Sequence, residues 1–229
     1  ARSHISTLSS TPGRNPAASH GTPPRSPSGS FFIERSISGT LNSASGDEPL
    51  GLLTSSHVPA ATAAEAITHY QQALFRRVPV DEWLHQRCLK RQTSPHYHAL
   101  VDSCNMIGAW VATAVLTARN VLDRVATIER VVDIAACLRS SQNAFGMSSV
   151  LSGLQSYPVQ RLHVTMGLLD DGAVERLRKL QAYLSYENNF EVYRRWRKDF
   201  RPSAIPVFFI DVHDLAHLEE QPTFLPEVN

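Results

Sequence analysis

Apolar side chains return at three- and four-residue steps through the middle of the chain, the spacing that lines one face of an α-helix. Leu100, Cys104, Ile107, Val111 and Val115 form one such stripe after Ser94 and Pro95. Val121, Val125, Ile128, Val132, Ala135 and Leu138 form the next, with Asp123, Arg124, Glu129 and Arg130 on its polar side. Both stripes predict long amphipathic helices. An earlier helix is predicted over 61–76, where strong helix formers accompany Ala66, Ile67, Tyr70, Leu74 and Phe75, and Pro79 breaks it. Residues 80–90 read as a short second helix. Further helices are predicted over 146–154, 159–165, 172–184 and 187–198, separated by Asn143, Pro158, Asp170-Asp171-Gly172 and Asn188-Asn189. The apolar run 205–215 fits a buried strand or a buried helix by periodicity alone, and helix is the assignment taken. Strand-period alternation persists nowhere, so the class is all-α.

The pattern stops on the N-terminal side of Pro59. Residues 1–58 are dominated by Ser, Pro, Gly, Thr and Ala, and such a stretch buries too little apolar surface to offset the entropy of ordering it. It reads as a disordered linker, followed by one helical domain over 59–229. Phe31, Phe32, Ile33 and Ile37 are an apolar cluster within the linker, able to dock on the domain or on a partner.

Charge and cysteine content narrow the function classes. With 22 Lys plus Arg against 21 Asp plus Glu, the net charge is +1, without the basic excess that phosphate neutralisation demands of a nucleic-acid binder. No nucleic-acid partner is therefore expected. Cys88, Cys104 and Cys137 are odd in number and hold no CxxC pair, which fits a reducing, cytoplasmic compartment better than a disulfide framework or a zinc site. No apolar run is read as approaching the roughly 18 to 20 residues of a membrane span. His213 and His217 stand four apart without a clear third ligand, so they are read as ordinary histidines and no metal is expected. The basic residues Arg194, Arg195, Arg197, Lys198 and Arg201 around Trp196 and Phe200 are read as a solvated face over buried aromatics.

Several ordered signatures carry a resemblance. They are Leu74-Phe75-Arg76-Arg77-Val78-Pro79, Asn105 with Trp110-Val111-Ala112, Leu122-Asp123-Arg124-Val125-Ala126, and Asn143 with Gly146-Met147. They continue through 150–162, which includes Tyr157-Pro158-Val159-Gln160-Arg161-Leu162, then Asn188-Asn189-Phe190 with Tyr193-Arg194, and Ile205-Pro206 with Asp214-Leu215. In that order they resemble the catalytic domain of guanine-nucleotide exchange factors for Ras-family GTPases, the RasGEF domain, over nearly the whole chain after residue 58.

The resemblance implies an orthogonal multi-helix bundle that binds a small GTPase of the Ras, Rap or Ral type and promotes GDP release. It implies no covalent chemistry and no cofactor. The positions matching the GTPase-gripping face are Arg124, Asn143, Gly146, Ser148, Gln155 and Gln160. The chain departs from the family pattern at Gln155, where Asn is usual, at Gln160, where an aromatic is common, and at Ser148, generally apolar. Phe209 stands where a small glycine is usual, and a ring there is expected to force repacking. Arg161 is expected to be an intramolecular anchor, and Asn105 to cap or cross-link helices. The family continues past Asp214-Leu215 into a helical hairpin that this chain is expected to lack, so binding is expected of it more than exchange. A catalytically silent interaction module is the alternative. The protein is expected in the cytoplasm, with recruitment to the inner membrane surface through flanking domains.

Overall fold

Of the chain, the computed structural model describes residues 57–84 and 87–220. The linker reading of 1–58, including its cluster of Phe31, Phe32, Ile33 and Ile37, falls almost wholly outside them. Within the described residues run α1 (Ala60–Phe75), α2 (Val80–Trp83), α3 (Pro95–Thr117), α4 (Val121–Ser140) and α5 (Ala144–Leu154). These are followed by α6 (Tyr157–Gln160), α7 (His163–Met166), α8 (Asp171–Tyr183), α9 (Glu191–Arg197) and α10 (Phe208–Glu220). The all-α class holds, and the single β-type contact among the described residues is an isolated parallel bridge between Asn143 and Ile205.

Helix starts follow local chemistry. A helix leaves its first N–H groups without partners, and a short polar side chain just ahead of it can accept from them. Asn120 does this for the Asp123 N–H at 2.9 Å, Asn143 for Gly146 at 2.7 Å, and Asp170 for Gly172 and Ala173 at 2.9 and 3.3 Å. At α3 the Ser94 side chain turns away, and Pro95 sits in the first turn, where a missing N–H costs nothing. Glu82, brought over from α2, takes the capping role instead. Its carboxylate accepts from the Tyr97 N–H at 2.8 Å and lies 2.7 Å from His96 Nδ1.

Four expectations are corrected in detail. The helix read over 80–90 is only α2 plus a 3-10 turn at Arg87–Leu89. The one read over 159–165 is two short helices, and Pro158 lies inside the first turn of α6 rather than separating elements. The one read over 187–198 begins late, because Asn188, Asn189 and Phe190 are all left-handed, with φ of 48°, 56° and 59°. In 205–215, Ile205 is extended and helix starts at Phe208, so each alternative describes part of the run.

Helices α3, α4 and α5 form the centre. Ile107, Val111, Ile128, Ile134, Leu138, Met147, Val150 and Leu154 are almost fully buried there, each large side chain contributing about 1.5 to 3 kcal/mol. The α3–α5 contact is close because it is built from small residues. A Cβ on Gly153 would stand 2.5 Å from the Gly108 carbonyl oxygen, and one on Gly108 would stand 2.6 Å from Ser152 Oγ. Helix α3 is 23 residues long, and with a mean hydropathy of 1.5 over an 18-residue window it does meet the length and composition of a membrane span. That corrects the reading that no run approaches one. Leu100, Ile107, Val111 and Val115 are at most 1% exposed, the burial expected of a core helix inside a folded domain.

A second cluster is aromatic and holds α10 in place. Phe208 packs against Trp83, Tyr97 and Phe145 at centroid distances of 5.5, 5.3 and 4.4 Å. Its neighbour Phe209 points outward at 47% exposure, so the expected repacking is not needed. On the far side, α9 is tied to α10 by the bidentate Arg194–Asp214 pair at 2.6 and 2.8 Å and by Arg197 with Asp211. The Val207 N–H donates to the buried Tyr193 hydroxyl at 2.7 Å, and burial pushes that phenol up to about 12.

Candidate functional site

The junction between α4 and α5 is the most tightly specified part of the site. Gln142 is left-handed, with φ of 60°, and its carbonyl accepts from the Ile205 N–H at 3.0 Å. The Ile205 carbonyl in turn accepts from Ala144 and Phe145 at 2.9 and 3.3 Å. Asn143 is completely buried between these contacts. Its amide nitrogen donates to Thr68 Oγ1 at 3.1 Å and to Gln71 Oε1 at 3.0 Å, while its oxygen caps Gly146. Gln71, also fully buried, passes the network on by donating to Ser149 Oγ at 3.2 Å. Gly146 has no room for a side chain, since a Cβ would meet Asn143 Nδ2 at 2.5 Å and Gln71 Oε1 at 2.7 Å.

Asn143 and Gly146 therefore do not lie on an accessible face in this structure. Every polar group of the Asn143 amide is spent inside the domain, and both residues shape the face from beneath. Both were expected on the gripping face, and here they lie beneath it. Ser148 is half-buried on α5, and its hydroxyl donates to the Phe145 carbonyl at 2.7 Å. Beside it, burial pushes the Cys104 thiol up to about 11, against weaker lowering by the Ser149 and Ser148 hydroxyls. Half-buried Asn105 lies on α3, next to Cys104 in sequence. Gln155 and Gln160 are exposed at the corner after α5, where the Gln160 amide donates to the Leu154 carbonyl at 2.8 Å.

Arg124 stands in the first turn of α4 beside an open cleft of about 390 Å³. Val121, Arg161, His163 and Val164 also line this cleft, bringing the start of α4 against the link between α6 and α7. The Arg124 Nε is shielded from solvent and has no hydrogen-bond partner. Arg124 forms no ion pair with a described residue; the nearby Asp123 accepts from the Asn120 amide at 3.0 Å and Glu129 from the Asp170 N–H at 3.0 Å. Arg161 is exposed, with its guanidinium 5.4 Å from the Tyr157 ring centroid. Its contact within the domain is with that ring, at the surface. Of the six predicted positions, then, Gln155 and Gln160 are exposed, Arg124 and Ser148 are half-buried, and Asn143 and Gly146 are buried.

Gln71, which ties the Asn143 network to Ser149, is the residue that sequence reasoning missed. A signal for Gln71 existed, because it lies on the stripe of Ala63 and Ile67 that α1 buries.

The fold is a helical domain in which exposed polar positions, Gln155 and Gln160, lie near a buried hydrogen-bond network centred on Asn143. More narrowly, the chain belongs to the RasGEF domain family, whose model matches residues 62–229. Among similar proteins is Ras guanine nucleotide exchange factor W of Dictyostelium discoideum, 27% identical over 67% of this chain. Exchange factors G and K of the same organism are 27% and 28% identical over 71% and 69% of the chain. The chain spans only 14%, 11% and 10% of the lengths of these three relatives.

Proposed function

We propose that this domain acts as a guanine-nucleotide exchange factor for a Ras-type small GTPase, binding it and promoting GDP release. The observation that carries the reading is the RasGEF match over 62–229, with Arg124 standing at an open cleft without a carboxylate partner. An exchange factor makes and breaks no covalent bond. It binds the nucleotide-free or distorted GTPase better than the closed form, and that difference in affinity shifts the population toward release. The guanidinium of Arg124 is suited to a carboxylate or backbone carbonyl of the GTPase's mobile switch segment. Gln155 and Gln160 extend the contact, and the Asn143 network keeps α5 from yielding under it.

The setting we propose is the cytoplasm, with recruitment to the inner membrane surface through flanking domains. The free thiols of Cys104 and Cys137 support a reducing compartment.

The test is a pull-down against purified Ras, Rap and Ral, run with EDTA and again with Mg²⁺ plus GDP. Retention of a Ras-type GTPase in EDTA, lost with Mg²⁺ and GDP, is expected, together with faster release of a fluorescent GDP analogue. Equal retention in both conditions would identify a silent interaction module, and no retention would remove the GTPase from the reading.

A further inference from the structure

The cleft beside Arg124 holds a second cation that the pattern of signatures treats as internal. Arg161 sits in the link between α6 and α7, is exposed, and faces the same space as Arg124. The side chains that line this space supply two guanidinium groups and the His163 imidazole but no carboxylate. Some other arginines of this domain lie against acids, as in Arg91–Asp102, Arg194–Asp214 and Arg195–Glu191. The cleft is therefore locally electropositive on a chain whose net charge is only +1. Val121 and the exposed Val164 line the same cleft and offer apolar surface.

We infer that Arg161 is a second anion-receiving side chain at this cleft, so that the GTPase segment seated there carries two carboxylates together with an apolar side chain. The inference rests on the exchange-factor reading and extends it to the chemistry of the bound segment. Two further features favour it. The Tyr157 ring beside Arg161 holds the guanidinium by a cation–π contact, so less side-chain freedom is lost when an anion arrives. Arg124 Nε is a shielded donor without an acceptor, and a small swing of the side chain onto a carboxylate satisfies it. A planar fork at each site would favour carboxylates held side-on over point contacts.

The test has two arms. In the first, isothermal calorimetry compares the wild-type chain, R161Q, R161K and R124Q against the nucleotide-free GTPase recovered in the pull-down, at low and high salt. R161Q is expected to weaken binding about 10-fold and to flatten the salt dependence, while R161K keeps the salt dependence and recovers only part of the affinity. Unchanged thermal melting of R161Q excludes a folding defect. If R161Q binds as tightly as wild type with the same salt dependence, this inference is overturned while the exchange-factor reading stands.

The second arm needs no GTPase. A Glu-Leu-Glu peptide with blocked ends is titrated into the wild-type chain, with Gln-Leu-Gln as control, while the arginine side-chain Nε–Hε signals are followed by NMR. The signals of Arg124 and Arg161 are expected to move together with the acidic peptide alone. Movement of neither, or equal movement with both peptides, overturns the inference.

Discussion

Replacing Asn143 by alanine separates a supporting residue from a contact residue. The substitution removes the acceptor that caps the Gly146 N–H, and loss of such a cap typically costs about 1 kcal/mol. It also removes the donor to Gln71 Oε1 in a fully buried setting, and an orphaned buried acceptor costs about 1 to 3 kcal/mol. The bond to Thr68 adds little, since that hydroxyl is only half-buried and can turn to water. Together these give a loss of about 3 kcal/mol, or roughly 6 to 12 °C in Tm for a domain of this size. Asn143→Asp keeps the cap acceptor but sets a carboxylate against Gln71 Oε1, so it should be at least as damaging. Circular dichroism melts of both variants and of Gln71→Ala measure this. The Asn143–Gln71 double variant should lose less than the sum of the singles, because the two changes remove one shared bond. If Asn143→Ala melts within about 1 °C of wild type but no longer retains a GTPase, the residue is a contact and this account of the junction is wrong.

Two further outcomes follow from the packing and the titrating groups. Gly153→Ala puts a methyl 2.5 Å from a backbone oxygen and 2.6 Å from Val111 Cβ, so α3 and α5 must part; a loss of about 1 to 3 kcal/mol in urea unfolding is expected, and wild-type stability would show the contact to be soft. Burial alone would raise the Glu82 carboxyl, but the Tyr97 N–H and the His96 ring hold it below its ordinary value. The sign follows from linkage: Glu82 contributes stability above the unfolded value of 4.5, and that contribution is lost as pH falls through the lower folded value. Glu82→Gln should therefore be less stable than wild type at neutral pH and show a shallower loss in acid, read from melts across pH 7 to about 3. Parallel pH curves would refute that role.

Much of the bundle was legible because α1, α3 and α4 bury one face each, and a stripe at helical spacing records that directly. The short elements were not. Residues 80–90 carry helix-like composition, but Glu82 is drawn to the amides of α3 and the segment gives up its own continuation. Residues 188–190 look like a helix start preceded by a polar break, and nothing local announces three left-handed residues in succession. The site divided along the same line. Arg124 was legible as an outward charge on an amphipathic helix, whereas Asn143 reads as an ordinary cap until Thr68 and Gln71 arrive from a distant helix. The exposure of Arg161 depends on how the link between α6 and α7 packs, and a linear sequence does not record that.

The backbone clasp between Ile205 and the start of α5 bears on how the chain is made. Synthesis delivers α1 to α5 well before Ile205, and until that residue emerges the Ala144 and Phe145 N–H groups lack their acceptor within the chain and donate to water. During translation the α4–α5 junction is therefore an unfinished joint, with Phe145 lacking the cover of Phe208. A nascent chain stalled before Ile205 should be cut readily by protease at this joint, and one released beyond α10 should resist. The α4–α5 junction is thus expected to close only after Ile205 and Phe208 have been made.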